Sequence, residues 1–394
     1  MTAQTTTFSQ RLTAETIEGL QDAVRAAAAA EGLDAVLTDD PDDVAYLTGF
    51  FHHPTERPVA VWLPVDGPAV LLVPRLEAGY ARAQSAVAQV VEYAEYPGAT
   101  NPFAPLAPLA AGRRVGHPLT SSFLRLRMMR EGMDVAPVPT DVVMACRYVK
   151  RPAEIALHRE AARISDFMVE AGVAAVRDAL RADDPLPTEA ELAALVGRVG
   201  TGVMYEEHRD VVVVGFMAGG LVYGGANSSY PHGLPSGYRL QEGDTFMLSL
   251  GCAVGGRFVE CERTFVIGQP TEEQARYHEA VRRAQEVGAS AIAPGVPCRD
   301  ANTACLAELM DAGLGEYVLH RQGHGIGLGM HEPPWLEDGD PTPLAEGMVV
   351  SNEPGIYVPG HAGYRISDSM LVTETGAEAL TSYPRSLADC TITA

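Results

Sequence analysis

The sequence has no apolar run long enough to cross a bilayer. Its longest candidate, VVVVGFMAGGLV from Val211 to Val222, is broken by glycines and far short of the roughly 20 residues that a spanning helix needs. Its first residues, MTAQTTTFSQRLTAE, lack the basic segment and apolar core of a secretory leader. These absences predict a cytoplasmic protein with no membrane partner. Basic residues are scarce, 29 Lys and Arg against 51 Asp and Glu, for a formal net charge of −22. Phosphate backbones and anionic membrane surfaces both demand a basic face, so neither nucleic acid nor a lipid surface is an expected partner. CxxC pairs are absent too. The six cysteines (146, 252, 261, 298, 305 and 390) are therefore expected as reduced thiols rather than a disulfide framework or zinc site.

What is present is a globular composition, 46% hydrophobic over 394 residues, enough for two domains. Residues 9–32 read as an amphipathic Ala-rich helix ending at Gly32. LDAVLTD reads as a strand, DDVAYLTGF as a short helix, and PVAVWLPVDGPAVLLVP as a hairpin turning at Asp66-Gly67. This α/β alternation defines a first domain with a mixed sheet over residues 1–150. From 151 to 394 the order changes to helix, helix, strands, then helix, helix, strands. Pro152 and the capping boxes Thr188-x-x-Glu191 and Thr271-x-x-Gln274 mark helix starts. Two related α+β halves on one antiparallel sheet are the expected outcome, and the fold class is α+β.

The segment MLSLGCAVGGRFVECERTF (Met247 to Phe265) carries the first chemical clue. Glu260 and Glu262 alternate with Cys261, so on a strand both carboxylates share one face. Two acids on an apolar hairpin repel and resist burial, so a positive group must sit between them. That group is either a metal ion or the cationic part of a substrate. Four further polar stations lie downstream or close by: His232 in YPH, His324 in GHGIGL, His331 in MHEPP, and Glu353 in SNEPGIY.

From KRPAEIALHREAARISD onward the chain resembles the creatinase/aminopeptidase P/methionine aminopeptidase family, whose catalytic domain is the pita-bread fold. LDAVLTDDPDDVAYLTGF is similar to the creatinase/prolidase N-terminal domain. The resemblance implies the positions of a two-metal ligand set of two Asp, one His and two Glu. These positions hold Ser249, Glu260, His324, Glu353 and Ser367 here. Serine is a poor ligand for a divalent transition metal beside carboxylate and imidazole, so a five-ligand dinuclear cage is not expected.

The LSL run at 248–250 and the ERT run at 262–264 are similar to the metal-free, creatinase-like branch. That likeness implies His232 as general acid/base, with His324 and His331 orienting or stabilising. It implies Glu262 and Glu353 as the clamp on a cationic substrate group, held in mutual repulsion when the cation is absent. Arg57 would help hold a substrate carboxylate, and Glu260 and Trp335 would line a pocket different from that of creatinase, Trp335 standing where a second carboxylate-binding arginine falls.

The leading expectation is thus a metal-independent hydrolase of a C–N bond in a small cationic or zwitterionic metabolite, such as a guanidino compound or cyclic amidine. It needs no metal or other cofactor, takes a small-molecule substrate and, by the resemblance, forms a homodimer. The alternative is a diverged Xaa-Pro peptidase with one metal held by Glu260, Glu262, His324 and Glu353. A lyase acting on a small metabolite and an inactive binding protein are lesser alternatives.

Overall fold

The computed structural model of the chain describes residues 8–85 and 89–394. They form two compact units. One comprises residues 11–147 with 212–215; the other comprises residues 8–10, 148–211 and 216–394. Among the described residues no helix is long and apolar enough to cross a membrane, and all six cysteines are free thiols.

The smaller unit is built on a six-stranded mixed sheet. Its order is Gln89–Tyr93, Val70–Pro74, Ala60–Pro64, Ala35–Thr38, Val115–Pro118, Val138–Thr140. The hairpin read at Asp66-Gly67 is present: Ala60–Pro64 and Val70–Pro74 pair antiparallel, and Gly67 takes the positive φ (114°) that its turn requires. The Ala-rich helix runs from Ala14 to Ala30 and starts at Thr13, whose hydroxyl accepts from the Thr16 amide at 3.2 Å. Trp62, Leu37, Leu72 and Phe103 pack as its core.

The larger unit realises the helix-pair, strand, helix-pair, strand order. Its helices are Pro152–Ala182, Glu189–Glu207, Glu272–Ala291 and Cys298–Asp311. The main run of its sheet is Glu332–Leu336, Gly323–Gly325, Val349–Asn352, Ser367–Val372, Arg257–Ile267, Thr245–Val254, Ala218–Gly224. Neighbours in that run are antiparallel. Both capping boxes close as their spacing dictates. Thr188 Oγ1 accepts from the Glu191 amide at 3.1 Å, while Glu191 accepts from the Thr188 amide at 2.8 Å. Thr271 and Gln274 repeat the exchange at 3.2 and 2.9 Å.

Removing one of these hydroxyls leaves a helix N-terminal amide without its partner. Thr271→Ala is expected to cost about 1 kcal/mol of stability, with Thr271→Ser within a few tenths of the parent. Urea unfolding midpoints of the two variants check this; equal midpoints would remove the cap from the list of stabilising contacts.

Candidate functional site

The site is assembled on the central hairpin. Thr245–Val254 and Arg257–Ile267 pair so that Ser249 faces Glu262 and Gly251 faces Glu260. Gly255 and Gly256, both at positive φ (56° and 75°), make the two-residue turn. Alternation sends Glu260 and Glu262 to one face and Cys261 and Arg263 to the other. On the far side Arg263 is fully buried. It donates to Asp368 Oδ1 at 2.7 Å and to the carbonyls of Glu262 and Ser367 at 2.8 and 2.7 Å. The strand bearing the two glutamates is thereby fastened to the one bearing Ser367.

Glu262 has its cation within the protein. Arg365, at the end of Ala362–Arg365, presents a two-pronged contact: Nε meets Glu262 Oε2, and Nη2 meets Oε1 at 2.9 Å. Ser249 Oγ donates to Glu262 Oε1 and accepts from Arg365 Nη2 at 3.0 Å. Arg365 Nη1 donates to the Tyr357 hydroxyl at 2.8 Å. Burial opposes the arginine's charge, but Glu262, Tyr357 and Glu353 together outweigh it and hold the group protonated. The line continues through His320, whose Nε2 lies 2.8 Å from the Tyr357 oxygen and whose Nδ1 lies 2.8 Å from the Arg321 carbonyl. With Tyr357 donating onward, His320 is neutral and protonated on Nδ1; burial, which lowers its pKa, agrees.

This corrects the expectation for Glu262. Its carboxylate is already paired with Arg365, so it does not stand opposite Glu353 awaiting a substrate cation, nor does it remain as a free metal ligand. The arginine of YRISD, two residues before Ser367, is the one that reaches Glu262.

A second cluster lies beside the first. His324 sits on Gly323–Gly325 with its Nδ1 at 3.0 Å from the Gly325 carbonyl. Its buried Nε2 has no aligned hydrogen-bond partner, yet it lies 3.2 Å from Glu353 Oε1 and 3.7 Å from Glu260 Oε2. Burial pulls His324 downward, but the two carboxylates outweigh it and raise its pKa to about 9. Glu260 is pushed up, chiefly by burial and then by Glu353. Glu353 meets the same burial but is brought down by His324. Ser367 Oγ donates to Glu260 Oε1 at 2.7 Å. His331 stacks on His324 with ring centroids 3.9 Å apart; burial, then the charge of His324, lowers its pKa to about 4.

The donor set here suits one cation. Ligands about 2.1 Å from a tetrahedral ion stand roughly 3.4 Å apart, and the 3.2 and 3.7 Å separations bracket that value. Ligand atoms of Glu260, His324 and His331 all lie within 4.8 Å of one another. The neighbouring position, between Ser249 and Glu262, is filled by Arg365. One ion fits; a pair does not.

The loop carrying His331 is held by a buried ion pair. Lys150 Nζ contacts Glu332 Oε1 at 3.2 Å, and Glu332 Oε2 accepts from the Gly329 amide at 3.1 Å. A side chain at Gly327 would meet that carboxylate at 2.2 Å, which explains the glycine at this point of GHGIGL.

These groups open on a cavity of about 800 Å³ lined by Glu260, Glu262, Glu353, His232, His324 and His331, with Ser249, His320, Arg321 and Arg365. His232 is exposed on the loop before Thr245, next to Pro231, whose carbonyl is fixed by the Tyr223 hydroxyl at 2.8 Å. Trp335 is a correction: it is not in the cavity wall. Its ring lies under the Arg321 guanidinium, 4.2 Å from ring centre to carbon, and Arg321 is the wall residue. Arg57 belongs to the smaller unit, where it pairs with Glu56 at 3.0 Å and with Glu95. Arg365, Arg321 and His320 are the residues that sequence reasoning missed.

Truncating Arg365 would strand a buried carboxylate. Arg365→Met is expected to cost about 3–5 kcal/mol, and Arg365→Met with Glu262→Met to recover much of that loss. Thermal or urea unfolding of both variants is the check. A single variant as stable as the parent would mean that Glu262 does not depend on Arg365.

Comparison with known proteins follows the same outline. Residues 156–374 match metallopeptidase family M24, and residues 21–149 match the creatinase/prolidase N-terminal domain. The probable dipeptidase PepE of Mycobacterium tuberculosis is 33% identical over 392 residues, covering 96% of this chain and 98% of that protein. The crystal structure of dipeptidase PepE from Mycobacterium ulcerans superposes with a TM-score of 0.84 at 30% identity, covering 98% of this chain and all of that one. The Xaa-Pro dipeptidase from Bacillus anthracis gives 0.82 at 26% identity, covering 94% and 99%. On these matches, and with the hairpin, histidine loop and paired helices in place, the chain belongs to metallopeptidase family M24.

Proposed function

We propose that this chain hydrolyses the amide C–N bond of a dipeptide-sized substrate, in a site that holds one divalent transition-metal ion. The observation that carries this reading is His324 Nε2, buried without an aligned partner between the carboxylates of Glu260 and Glu353. Glu260, His324 and Glu353 would hold the ion, with His331 beside them. Such an ion, when bound, supplies Lewis acidity toward a carbonyl oxygen. Support for the substrate class comes from relatives that carry dipeptidase names along nearly their whole length.

The chain's own groups do the rest. Hydrolysis adds water to the carbonyl carbon, breaks the C–N bond and delivers a proton to the leaving nitrogen. His232, exposed at the cavity wall, is free to take that proton from water and return it to the nitrogen. Arg365 supplies fixed positive charge at the adjoining wall, with its orientation set by Glu262 and Tyr357.

A second reading rests on Ser249 and Ser367. Both hydroxyls donate to glutamates, Ser249 to Glu262 and Ser367 to Glu260. Without an ion, Glu260 and Glu353 would instead receive a planar cationic group, and the reaction would be metal-independent C–N hydrolysis of a small guanidino or amidine compound.

Calorimetric titration with Mn, Co and Zn separates the two. One ion per chain is expected, with Glu353→Gln weakening its binding by about tenfold or more. Dipeptide hydrolysis is expected to stop on chelation and return on adding the ion back. Turnover that persists in chelator would reject the one-ion reading and favour the metal-independent one. Two equivalents of tightly bound ion would reject both.

His232→Ala should lower kcat by roughly 10²-fold or more, with a much smaller change in KM. Steady-state kinetics on the best dipeptide decide this; a parent-like kcat would place the proton transfer on another group.

A further inference from the structure

Two fully buried amides stand behind the His324 cluster. Asn352 immediately precedes Glu353, and Gln322 lies two residues before His324. The strands concerned, Gly323–Gly325 and Val349–Asn352, share one ladder pair, Gly325 with Val350. So short a ladder leaves the spacing of His324 and Glu353 to other contacts. The Glu353 amide donates to the Gln322 carbonyl at 2.8 Å, and the His324 amide donates to Ser351 Oγ at 2.9 Å. Behind them Gln322 Nε2 donates to Asn352 Oδ1 at 3.0 Å.

The direction of that amide bond is fixed from the helix Glu272–Ala291. Asn352 Nδ2 donates to the Gln285 carbonyl at 2.8 Å, which turns Oδ1 toward Gln322. The Gln285 side chain donates to Asp368 Oδ2 at 2.7 Å, and Asp368 Oδ1 holds Arg263. One helical residue therefore ties the segment of Glu353 to the strands behind Glu260. Gly288 makes the room: a side chain there would meet Asn352 Oδ1 at 2.5 Å and Gln322 Nε2 at 2.7 Å. From the next helix, Asn302 Oδ1 accepts from the Gln322 backbone amide at 2.7 Å.

Stability alone does not favour this arrangement. Gln322 Oε1 is buried and meets no donor among the described residues. A stranded acceptor is costly, and an apolar pair of the same shape would avoid that cost.

We propose that Gln322 is a positioning residue for the ion site: by gripping Asn352 it places Glu353 beside His324, at the 3.2 Å separation that suits a shared ion. This rests on the one-ion reading above and names what holds its geometry. Gln322 is not one of the residues that line the cavity. It acts through Asn352 and through the Glu353 backbone.

The probe is Mn alone, titrated calorimetrically into the full chain, with the melting temperature of the ion-free protein as a second reading. Gln322→Met keeps the length of the side chain and removes the amide. It should weaken Mn binding about tenfold or more, and it lowers the melting temperature by stranding Asn352 Oδ1. Adding Asn352→Leu removes the other half of the pair. The double variant should return to within about 4 °C of the parent while Mn binding stays weak. On a Glu353→Gln background the effect of Gln322→Met on Mn should shrink to within about twofold, because the ligand being positioned has gone.

Parent-like Mn binding by Gln322→Met overturns the proposal and leaves the one-ion reading standing. So does an affinity that returns with the melting temperature in the double variant. A loss undiminished on the Glu353→Gln background does the same, since Gln322 would then support the fold rather than Glu353. A parent that takes up no ion rejects the one-ion reading and this proposal with it.

Discussion

Carboxylates that leave water together need a counter-charge, and for Glu262 the guanidinium of Arg365 provides it from within the chain. The contact joins two strands that are distant in sequence. It fixes the Ser249 hydroxyl and, through Tyr357 and His320, reaches the backbone of Arg321. On the reverse face Arg263 repeats the device, tying the glutamates' strand to Ser367–Val372 through Asp368 and the Ser367 carbonyl. The strand that carries Glu260 and Glu262 is held between these two arginines, one in front of the sheet and one behind it.

That arrangement divides the polar cluster in two. One half is self-neutralised: Glu262, Arg365 and Ser249 satisfy one another. The other half, among the described residues, has no arginine paired to it and leans on His324. Against burial the two carboxylates raise His324 and His324 lowers Glu353, while burial and then Glu353 raise Glu260. Membership in a metallopeptidase family and a ligand set with two serine replacements are therefore compatible. In the one-ion reading proposed above, the ion would lie at Glu260, His324 and Glu353, and Arg365 holds the ground beside Glu262.

The architecture was legible because it is written in local signals. Capping boxes at Thr188 and Thr271, the glycine of the Asp66-Gly67 turn and the two-residue alternation of VECERT are all decided by near neighbours, and each formed as read. The site was legible only in part. Glu260, His324, His331, Glu353 and His232 share one cavity, as their clustering suggested. What escaped was pairing between segments far apart in sequence. Nothing near Glu262 announces that Arg365, about a hundred residues on, will reach it. Nor does Trp335 announce that its ring will serve as a bed for Arg321 rather than as a pocket wall. Alternation assigns a side chain to a face, but the partner it meets there is set by strand order.

The internal cation also bears on how this protein is made. A chain whose two cation positions must both be filled from solution would reach its final charge balance only after meeting its metal supply. Here the front of the sheet closes with an ion pair that is translated along with the rest of the chain. Assembly of that half asks nothing of the cell's metal pool.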